Sequence, residues 1–333
     1  MVLFNVNPVL PSVLTPSNPP LSHLILGTRG SELALAQTVL TTAALQRSWP
    51  TLQVDREVIK TAGDLRPDLP LADFSKGESP VVDKGIFTKE LENALRAGRI
   101  HAAVHSLKDV PTLLDPGFKI SAVLPRAPIE DVLISKRPGG LEALASGSTV
   151  ATSSVRRVRL LQHLRPDLRT VEIRGNVPTR LRKAAENPQL DALILARAGL
   201  HRLGLFQGLL EAFATPLHLS IMDPQVFLPA ASQGAVALET WQESPSLAAT
   251  LDALNDPATF ARISAERHFL ELLQAGCQTP VGIHTWISGS WLHLKALVFP
   301  DHQGPPLASE ISCLLEDPGA AARSLFENLR PTV

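Results

Sequence analysis

Short runs of aliphatic residues alternate with segments of helical periodicity along most of the chain. The predicted strands are His23–Thr28, Leu52–Lys60, Ala102–Ser106, Lys119–Leu124, Asp131–Ser135, Thr149–Thr152, Thr170–Ile173 and Ala192–Ala196. The predicted helices are Ser31–Arg47, Thr88–Ala97, Ser154–Leu164 and Val177–Ala185. Strands that alternate with helices usually form parallel pairs joined by crossovers, so the pattern predicts the α/β class with mainly parallel sheets.

The pattern changes after Leu228. A turn-rich segment, 229–235, leads into a predicted strand at Val236–Glu239. The remainder is predicted as helix Phe260–Leu273, strands Val281–Ile287 and Trp291–Phe299 joined by a Ser-Gly-Ser turn, strand Glu310–Leu315 and helix Ala320–Leu329. A hairpin followed by a strand and a helix predicts a small α+β unit at this end.

Composition narrows the class of protein. The chain has 333 residues, which suggests about two domains, or three small ones. Its net charge of -1 argues against a nucleic-acid or membrane binder, because such binders need a broad positive field. Two cysteines cannot form a disulfide framework, which favours a reducing, cytoplasmic setting. The histidines lack metal-ligand spacing, so we expect no metal. Residues 1–21 are proline-rich and lack the features of a signal peptide, and we interpret them as a flexible leader.

Arginines are concentrated in one part of the chain. Segment 151–180 contains seven arginines and no lysine: Arg156, Arg157, Arg159, Arg165, Arg169, Arg174 and Arg180. A guanidinium can hold a carboxylate or phosphate through two parallel hydrogen bonds. The alternative interpretation is a solvated helix face with scattered ion pairs.

The positions of the cations favour a binding site. Arg29, Lys108, Arg156 and Arg174 all fall where a predicted strand gives way to a helix or loop. In α/β sheets ligands bind at the carboxyl ends of strands, and helix N-termini there add positive potential. The Gly27–Ser31 loop lacks the spacing of a dinucleotide loop and the lysine of a phosphate-binding loop. Arg29 and Ser31 are instead candidates for binding a carboxylate.

Two further segments contain reactive groups. The run His105–Pro111 places Lys108 and Asp109 after a buried strand, where Asp109 can stabilise a developing cation or move a proton, although a plain ion pair between neighbours is the alternative. Cys277 follows a predicted helix end, which does not activate a thiol, so attachment is favoured over nucleophilic catalysis. A small buried hydrophobe remains the alternative for Cys277, and Cys313 is predicted to lie in the core.

Eight segments between Leu24 and Gly282 resemble one enzyme family. In chain order they read GTRGSELALAQ, KGIFTKELENAL, AAVHSLKDVPT, VATSSVRR, IRGNVPTRL, LILARAGLHRLGL, ASQGAVALE and AERHFLELLQAGCQTPVG. Together they closely resemble the hydroxymethylbilane synthase, or porphobilinogen deaminase, family. That family couples four porphobilinogen molecules head to tail, releases ammonia at each step and yields a linear tetrapyrrole for haem biosynthesis.

The resemblance implies roles for particular residues. Cys277 would carry a dipyrromethane cofactor through a thioether, and Asp109 would be the catalytic carboxylate. The implied cofactor ligands are Lys108, Ser154, Arg156, Arg157 and Arg174. The implied ligands of porphobilinogen and the growing polypyrrole are Arg29, Ser31, Arg180 and Arg202.

The resemblance also implies a three-domain monomer with two lobes like those of periplasmic binding proteins. The expected domains are 22–125 with 232–256, 126–231, and 257–333. The sequence departs from the family pattern at Ser232 and Ala275, where glycines are common, and in the altered loop 73–83. A non-catalytic two-lobed carboxylate-binding protein is the alternative function; it would use the arginines but has no need of Asp109 or Cys277, and the lack of an export signal counts against it.

Overall fold

The computed structural model describes residues 20–65, 87–211, 213, 215–275, 279–300 and 304–329. The predicted leader as far as residue 19, the loop 73–83 and Cys277 lie outside these residues. The strands are β1 His23–Thr28, β2 Gln53–Val58, β3 Ala102–Ser106, β4 Phe118–Val123, β5 Asp131–Ser135, β6 Thr149–Ala151, β7 Arg169–Val171, β8 Ala192–Ala196, β9 Leu209–Leu210, β10 Leu217–Ile221, β11 Val236–Trp241, β12 Val281–Ser288, β13 Trp291–Val298 and β14 Leu307–Leu314. The helices are α1 Glu32–Ser48, α2 Ala62–Leu65, α3 Lys89–Arg96, α4 Val155–Leu164, α5 Val177–Glu186, α6 Arg197–Arg202, α7 Pro245–Asp252, α8 Pro257–Leu272 and α9 Pro318–Leu329.

The first sheet has the strand order β2-β1-β3-β11-β4, and we call the part of the protein built on it lobe 1. Strands β2, β1 and β3 pair in parallel, and β11 runs antiparallel to both β3 and β4. Four of the five strands therefore point the same way. Leu24, Val104 and Leu238 of this sheet pack against Leu45 of α1, so buried aliphatic residues of both elements form one core.

The second sheet has the order β7-β6-β8-β5-β10-β9, and we call the part built on it lobe 2. Strands β7, β6 and β8 are parallel, while β5 runs antiparallel to its neighbours β8 and β10. Leu193 of β8 packs against Leu181 of α5, and Leu133 of β5 packs in a second cluster with Leu160 of α4. The prediction of an α/β protein with two mainly parallel, mixed sheets is confirmed.

A small third unit contains the antiparallel sheet β12-β13-β14 with α8 and α9 packed on it. Ile283 and Leu294 of the sheet meet Phe269 of α8 and Leu325 of α9 in its core. Cys313 is partly buried against this core, and burial raises the pKa of its thiol. The predicted α+β unit is confirmed. No helix in the described part of the chain is long and apolar enough to cross a membrane.

Two segments cross between the lobes and lie side by side: residues 124–130, and the crossing segment 229–235, which contains a turn at 231–234. The Ala127 N–H donates to the Gly234 carbonyl at 3.2 Å, and Arg126 Nε donates to the Gln233 carbonyl at 2.9 Å. Gly234 has φ +88°, and a Cβ there would lie 2.4 Å from the Ala127 carbonyl oxygen. Only glycine fits this close approach. Two residues earlier, Ser232 adopts φ 61° although it carries a side chain.

Candidate active site

Asp109 lies in a crevice of lobe 1, just past the end of β3. A 3₁₀ turn, Leu107–Asp109, follows the strand, and the predicted loop is in fact this turn. Leu107 and Val110 are 0% and 5% exposed and fix the turn to the core, whereas the intervening Lys108 and Asp109 are exposed. Asp109 lines the crevice together with Arg29, Ser31, Gln37, Phe87, Thr88, His105 and Ser106. The structure thus brings Asp109 together with two of the predicted ligands.

The lobe 1 arginine lies at the start of α1. Ser31 caps this helix by accepting from the Ala34 N–H at 3.3 Å. Arg29 donates to both carboxylate oxygens of Asp64, at 3.3 Å from Nε and 2.5 Å from Nη2, and its guanidinium stacks 4.0 Å from the Phe87 ring centre. Burial alone would raise the pKa of Asp64, but hydrogen bonds and charge from Arg29 outweigh it and lower the pKa. Arg29 is therefore held in place by an internal carboxylate.

Lobe 2 contains a similar arrangement, a helix-capping serine with arginine paired to aspartate, and here the charged side chains are more deeply buried. Ser154 caps α4 by accepting from the Arg157 N–H at 3.5 Å. The Nη2 atoms of Arg156 and Arg157 bind the two oxygens of Asp131 at 2.8 and 2.7 Å. Their Nη1 atoms donate to the carbonyls of Leu228 at 2.5 Å and Ile194 at 2.8 Å. All three charged side chains are buried.

The carboxylate of Asp131 supplies the counter-charge that stabilises the two buried guanidiniums. Its burial would raise the pKa of the carboxyl, but the two guanidiniums outweigh burial and hold the pKa far below its usual range. Gln233 adds a third donor, Nε2 to Oδ1 at 3.0 Å. The sequence pattern places Asp131 only in a strand. The available signal was a carboxylate at the start of an otherwise aliphatic strand, a position that requires a partner when buried.

Arg174 and Arg180 form a further group of cations in lobe 2. Arg180 donates from Nε to the Gly175 carbonyl at 2.7 Å. Burial, together with the charges of Arg157 and Arg174, lowers the pKa of Arg180 to about 10, and Asp109 opposes the shift. Arg174 forms an ion pair with Glu172. Arg180 is therefore close enough to Arg157, Arg174 and Asp109 to interact electrostatically with each of them.

Arg202 and Lys108 contact the crossing segment. Arg202 Nη2 donates to the Gly234 carbonyl at 2.7 Å, and burial lowers its pKa to about 10. Lys108 Nζ lies 3.4 Å from Oε1 of Gln233. Lys108 keeps an accessible surface, but protein atoms crowd around its ammonium group, and this crowding lowers its pKa to about 8, against the attraction of Asp109. Gln233 thus bridges Lys108 of lobe 1 to Asp131 of lobe 2.

The donor set suits a ligand with carboxylate groups. The buried Nε atoms of Arg156, Arg157 and Arg174 have no hydrogen-bond acceptor among the residues that the structure describes. Acceptor-only groups such as carboxylates can satisfy such donors. The dipyrromethane implied by the sequence resemblance carries carboxylates, so these residues fit it. Across the same residues, no three His, Cys, Asp or Glu side chains are grouped to hold a metal ion.

Fold and site together define a two-lobed α/β protein whose crevice is suited to polycarboxylate ligands and contains an acidic side chain. The family model described as "Porphobilinogen deaminase, dipyromethane cofactor binding domain" matches residues 24–249, and the model described as "Porphobilinogen deaminase, C-terminal domain" matches residues 260–303. The chain belongs to the porphobilinogen deaminase family.

Relatives of the same name cover most of the chain. The porphobilinogen deaminase of Syntrophobacter fumaroxidans is 41% identical over 273 residues, which span 82% of this chain and 83% of the relative. That of a Roseiflexus species is 43% identical over 275 residues, covering 83% and 85%. That of Syntrophomonas wolfei is 39% identical over 307 residues, covering 92% and 95%.

Proposed function

We propose that this protein has hydroxymethylbilane synthase activity. It couples four porphobilinogen molecules head to tail, with release of ammonia at each condensation. Water then hydrolyses the completed chain from the cofactor and supplies the hydroxyl of linear hydroxymethylbilane, a tetrapyrrole precursor. The observation that carries the proposal is the position of Asp109, which shares its crevice with Arg29 and lies within electrostatic reach of Arg180. A protein that only binds carboxylates would use the arginines but would have no use for Asp109.

The arginines bind the acidic side chains of the substrate. Each porphobilinogen carries two carboxylates, so the growing polypyrrole gains negative charge at every step. Arg29, Ser31, Arg180 and Arg202 are the residues that we assign to porphobilinogen and the growing chain. A planar guanidinium binds each carboxylate through paired hydrogen bonds, which explains the preference for arginine over lysine.

A second group of residues holds the cofactor. We assign Cys277 as the thioether attachment point of the dipyrromethane, with Lys108, Ser154, Arg156, Arg157 and Arg174 around it. When bound, this group supplies the pyrrole carbon from which the chain grows. Asp131 fixes the forks of Arg156 and Arg157 before any ligand arrives, so little side-chain entropy is lost on binding.

Asp109 balances the positive charge that appears during each condensation. The C–N bond of the substrate aminomethyl group breaks, and its electron pair leaves with ammonia. The resulting azafulvene is electron-poor, and attack by a terminal pyrrole carbon forms a C–C bond and a transient pyrrolium cation. Arginines alone would disfavour that cation, whereas the Asp109 carboxylate stabilises it and helps to move the proton that is lost.

We also propose the organisation and setting of the protein. The domains are 22–125 with 232–256, 126–231 and 257–333. The pairing of β11 with β3 and β4 supports the return of the chain to the first domain. We propose a cytoplasmic monomer that binds neither nucleic acid nor membrane. The near-neutral charge and the two cysteines support this setting.

The experiment is to incubate the purified protein with porphobilinogen and follow ammonia and product together. We expect one ammonia for each porphobilinogen consumed, with hydroxymethylbilane as the product. Binding of porphobilinogen without ammonia release would reject the enzyme and favour the carboxylate-binding protein.

A further inference from the structure

Helix α8 of the third unit has two faces, and one of them packs on the turn that contains Asp109. Phe260 and Ile263 lie in one hydrophobic cluster with Leu107 and Val110 of that turn. On the opposite side, Phe269 belongs to the core of the third unit. Because residues three and four positions apart share a helix face, Arg267 continues the face formed by Phe260 and Ile263.

Arg267 binds three successive carbonyls just after Asp109. Its Nη1 donates to Val110 at 3.3 Å, and its Nη2 donates to Pro111 at 2.6 Å and Thr112 at 2.9 Å. Pro111 has no N–H, so this stretch cannot be fixed by a regular backbone ladder. The guanidinium of Arg267 holds this stretch instead, because its donors are arranged in a rigid, planar fork.

The charge of Arg267 is directed at this backbone rather than at a carboxylate. Burial lowers the pKa of Arg267, and Glu239 and Glu271 oppose the shift only through longer-range attraction. Hydrogen bonds from a charged donor are stronger than those between neutral groups. The turn is therefore fixed from two sides: by Leu107 and Val110 in the hydrophobic cluster, and by Arg267 at the three carbonyls of residues 110–112.

We infer that Arg267 is a positioning residue for Asp109, acting from outside lobe 1. It fixes the backbone 110–112, which sets where the Asp109 carboxylate points in the crevice. The inference rests on the proposed function, because it concerns the same reaction. The carbonyls that Arg267 binds, in residues 110–112, belong to none of the residues assigned to substrate or cofactor, so its loss should affect the chemical step rather than substrate binding.

The test compares Arg267→Met and Arg267→Lys with the wild type, using porphobilinogen as substrate. For Arg267→Met we expect kcat to fall by about 10- to 100-fold, because small displacements of a reacting group have effects of this size. We expect KM to stay within about twofold, as for a change felt mainly in the transition state. Arg267→Lys keeps the charge, but its ammonium group can reach fewer of the three carbonyls. Its kcat should therefore lie between that of the wild type and that of Arg267→Met.

The matched control is Arg262→Met on the same helix. Arg262 donates to Thr285 of β12, at 3.2 Å from Nε and 2.6 Å from Nη2, and so tests loss of an arginine within the third unit. We expect its kcat per folded molecule to stay within about twofold of the wild type, since no contact to the turn is lost. Hydrogen exchange of the peptide 105–114 should be faster in Arg267→Met and unchanged in Arg262→Met.

Rates are expressed per molecule that is folded and carries the cofactor by intact mass. Normal kcat in Arg267→Met, or a raised KM with unchanged kcat, would overturn the positioning role. Equal losses in Arg267→Met and Arg262→Met would also overturn it, because they would indicate general damage to the third unit. If the wild type itself releases no ammonia, the proposed function fails rather than this inference.

Discussion

The two lobes use the same local device at different depths. In each lobe a serine caps a helix that follows a parallel strand, and an arginine two residues away pairs with an aspartate. The Arg29 and Asp64 side chains of lobe 1 are 23% and 22% exposed, whereas Arg156 and Asp131 of lobe 2 are 6% and 0% exposed.

This difference in burial distinguishes two kinds of anion-binding site. Asp131 ties two arginines and Gln233 into a buried network, so lobe 2 is preorganised before a ligand binds. Asp64 holds a single arginine at the edge of the crevice, where a ligand carboxylate can compete for the same fork. The buried network around Asp131 is thus suited to a permanent ligand, and the shallower pair of Arg29 and Asp64 to one that exchanges.

The largest expected effect comes from Asp109, which shares a crevice with Arg29 and lies within electrostatic reach of Arg180. Replacing Asp109 with alanine should lower kcat by about 100- to 10,000-fold, the usual contribution of a positioned acid or base. The cofactor should stay attached, because the lobe 2 donors are unchanged. Steady-state kinetics measures kcat, and intact-mass spectrometry checks that the cofactor is still attached. Near-normal turnover would reject the role of Asp109 and leave the arginines as the whole site.

The contrast in depth predicts unequal losses of stability. Asp131→Asn leaves two buried guanidiniums without their counter-charge and should lower the free energy of unfolding by about 3–5 kcal/mol. The matched change Asp64→Asn affects a shallower pair and should cost about 1 kcal/mol or less. Urea denaturation of both variants measures the difference. Equal losses would show that depth does not distinguish the two sites.

The ionisation of Asp131 also predicts how the free energy of unfolding depends on pH. The folded pKa of Asp131 lies below its ordinary value of 3.8, so its stabilisation is fully present above about pH 4 and is lost as pH falls below it. The unfolding free energy of the wild type should therefore fall more steeply between about pH 4 and pH 3 than that of Asp131→Asn. Denaturation at a series of pH values tests this. Parallel curves would mean that Asp131 is not the titrating group.

The smallest expected effect lies in the crossing segment between the lobes. Ser232 is buried with φ 61°, and its hydroxyl has no partner among the residues described. Because the left-handed conformation costs a residue with a side chain about 1–2 kcal/mol, Ser232→Gly should raise the free energy of unfolding by about 1 kcal/mol. Chemical denaturation measures this change in the free energy of unfolding. A loss of stability would show that the serine side chain is needed there.

The sequence predicted the local parts of this molecule well. Strands β1, β3, β5 and β8 have the bounds that the aliphatic runs indicated, because polar or glycine residues flank each run. The short helix α6 and the strands β9 and β10 were not predicted. They are short elements stabilised mainly by tertiary packing, which weakens any local periodicity. Helix α7 was also missed, although Ser244 before Pro245 is a recognisable helix start.

The site was predicted only as far as its local pattern reached. The position of Asp109 after a buried strand and the serine caps could be read from neighbouring residues. The pairing of Asp131 with Arg156 and the contact of Arg267 with Pro111 join residues 25 and 156 positions apart. Such contacts depend on how strands and helices assemble, and no periodicity of a single segment encodes them.

Intact-mass spectrometry of the purified protein tests the central claim most directly, namely that the arginine crevice serves a polypyrrole tethered at Cys277. The account predicts a covalent adduct of two linked pyrrole units, which is absent from Cys277→Ser together with the activity. A protein that turns over porphobilinogen while its mass equals that of the bare chain would contradict it.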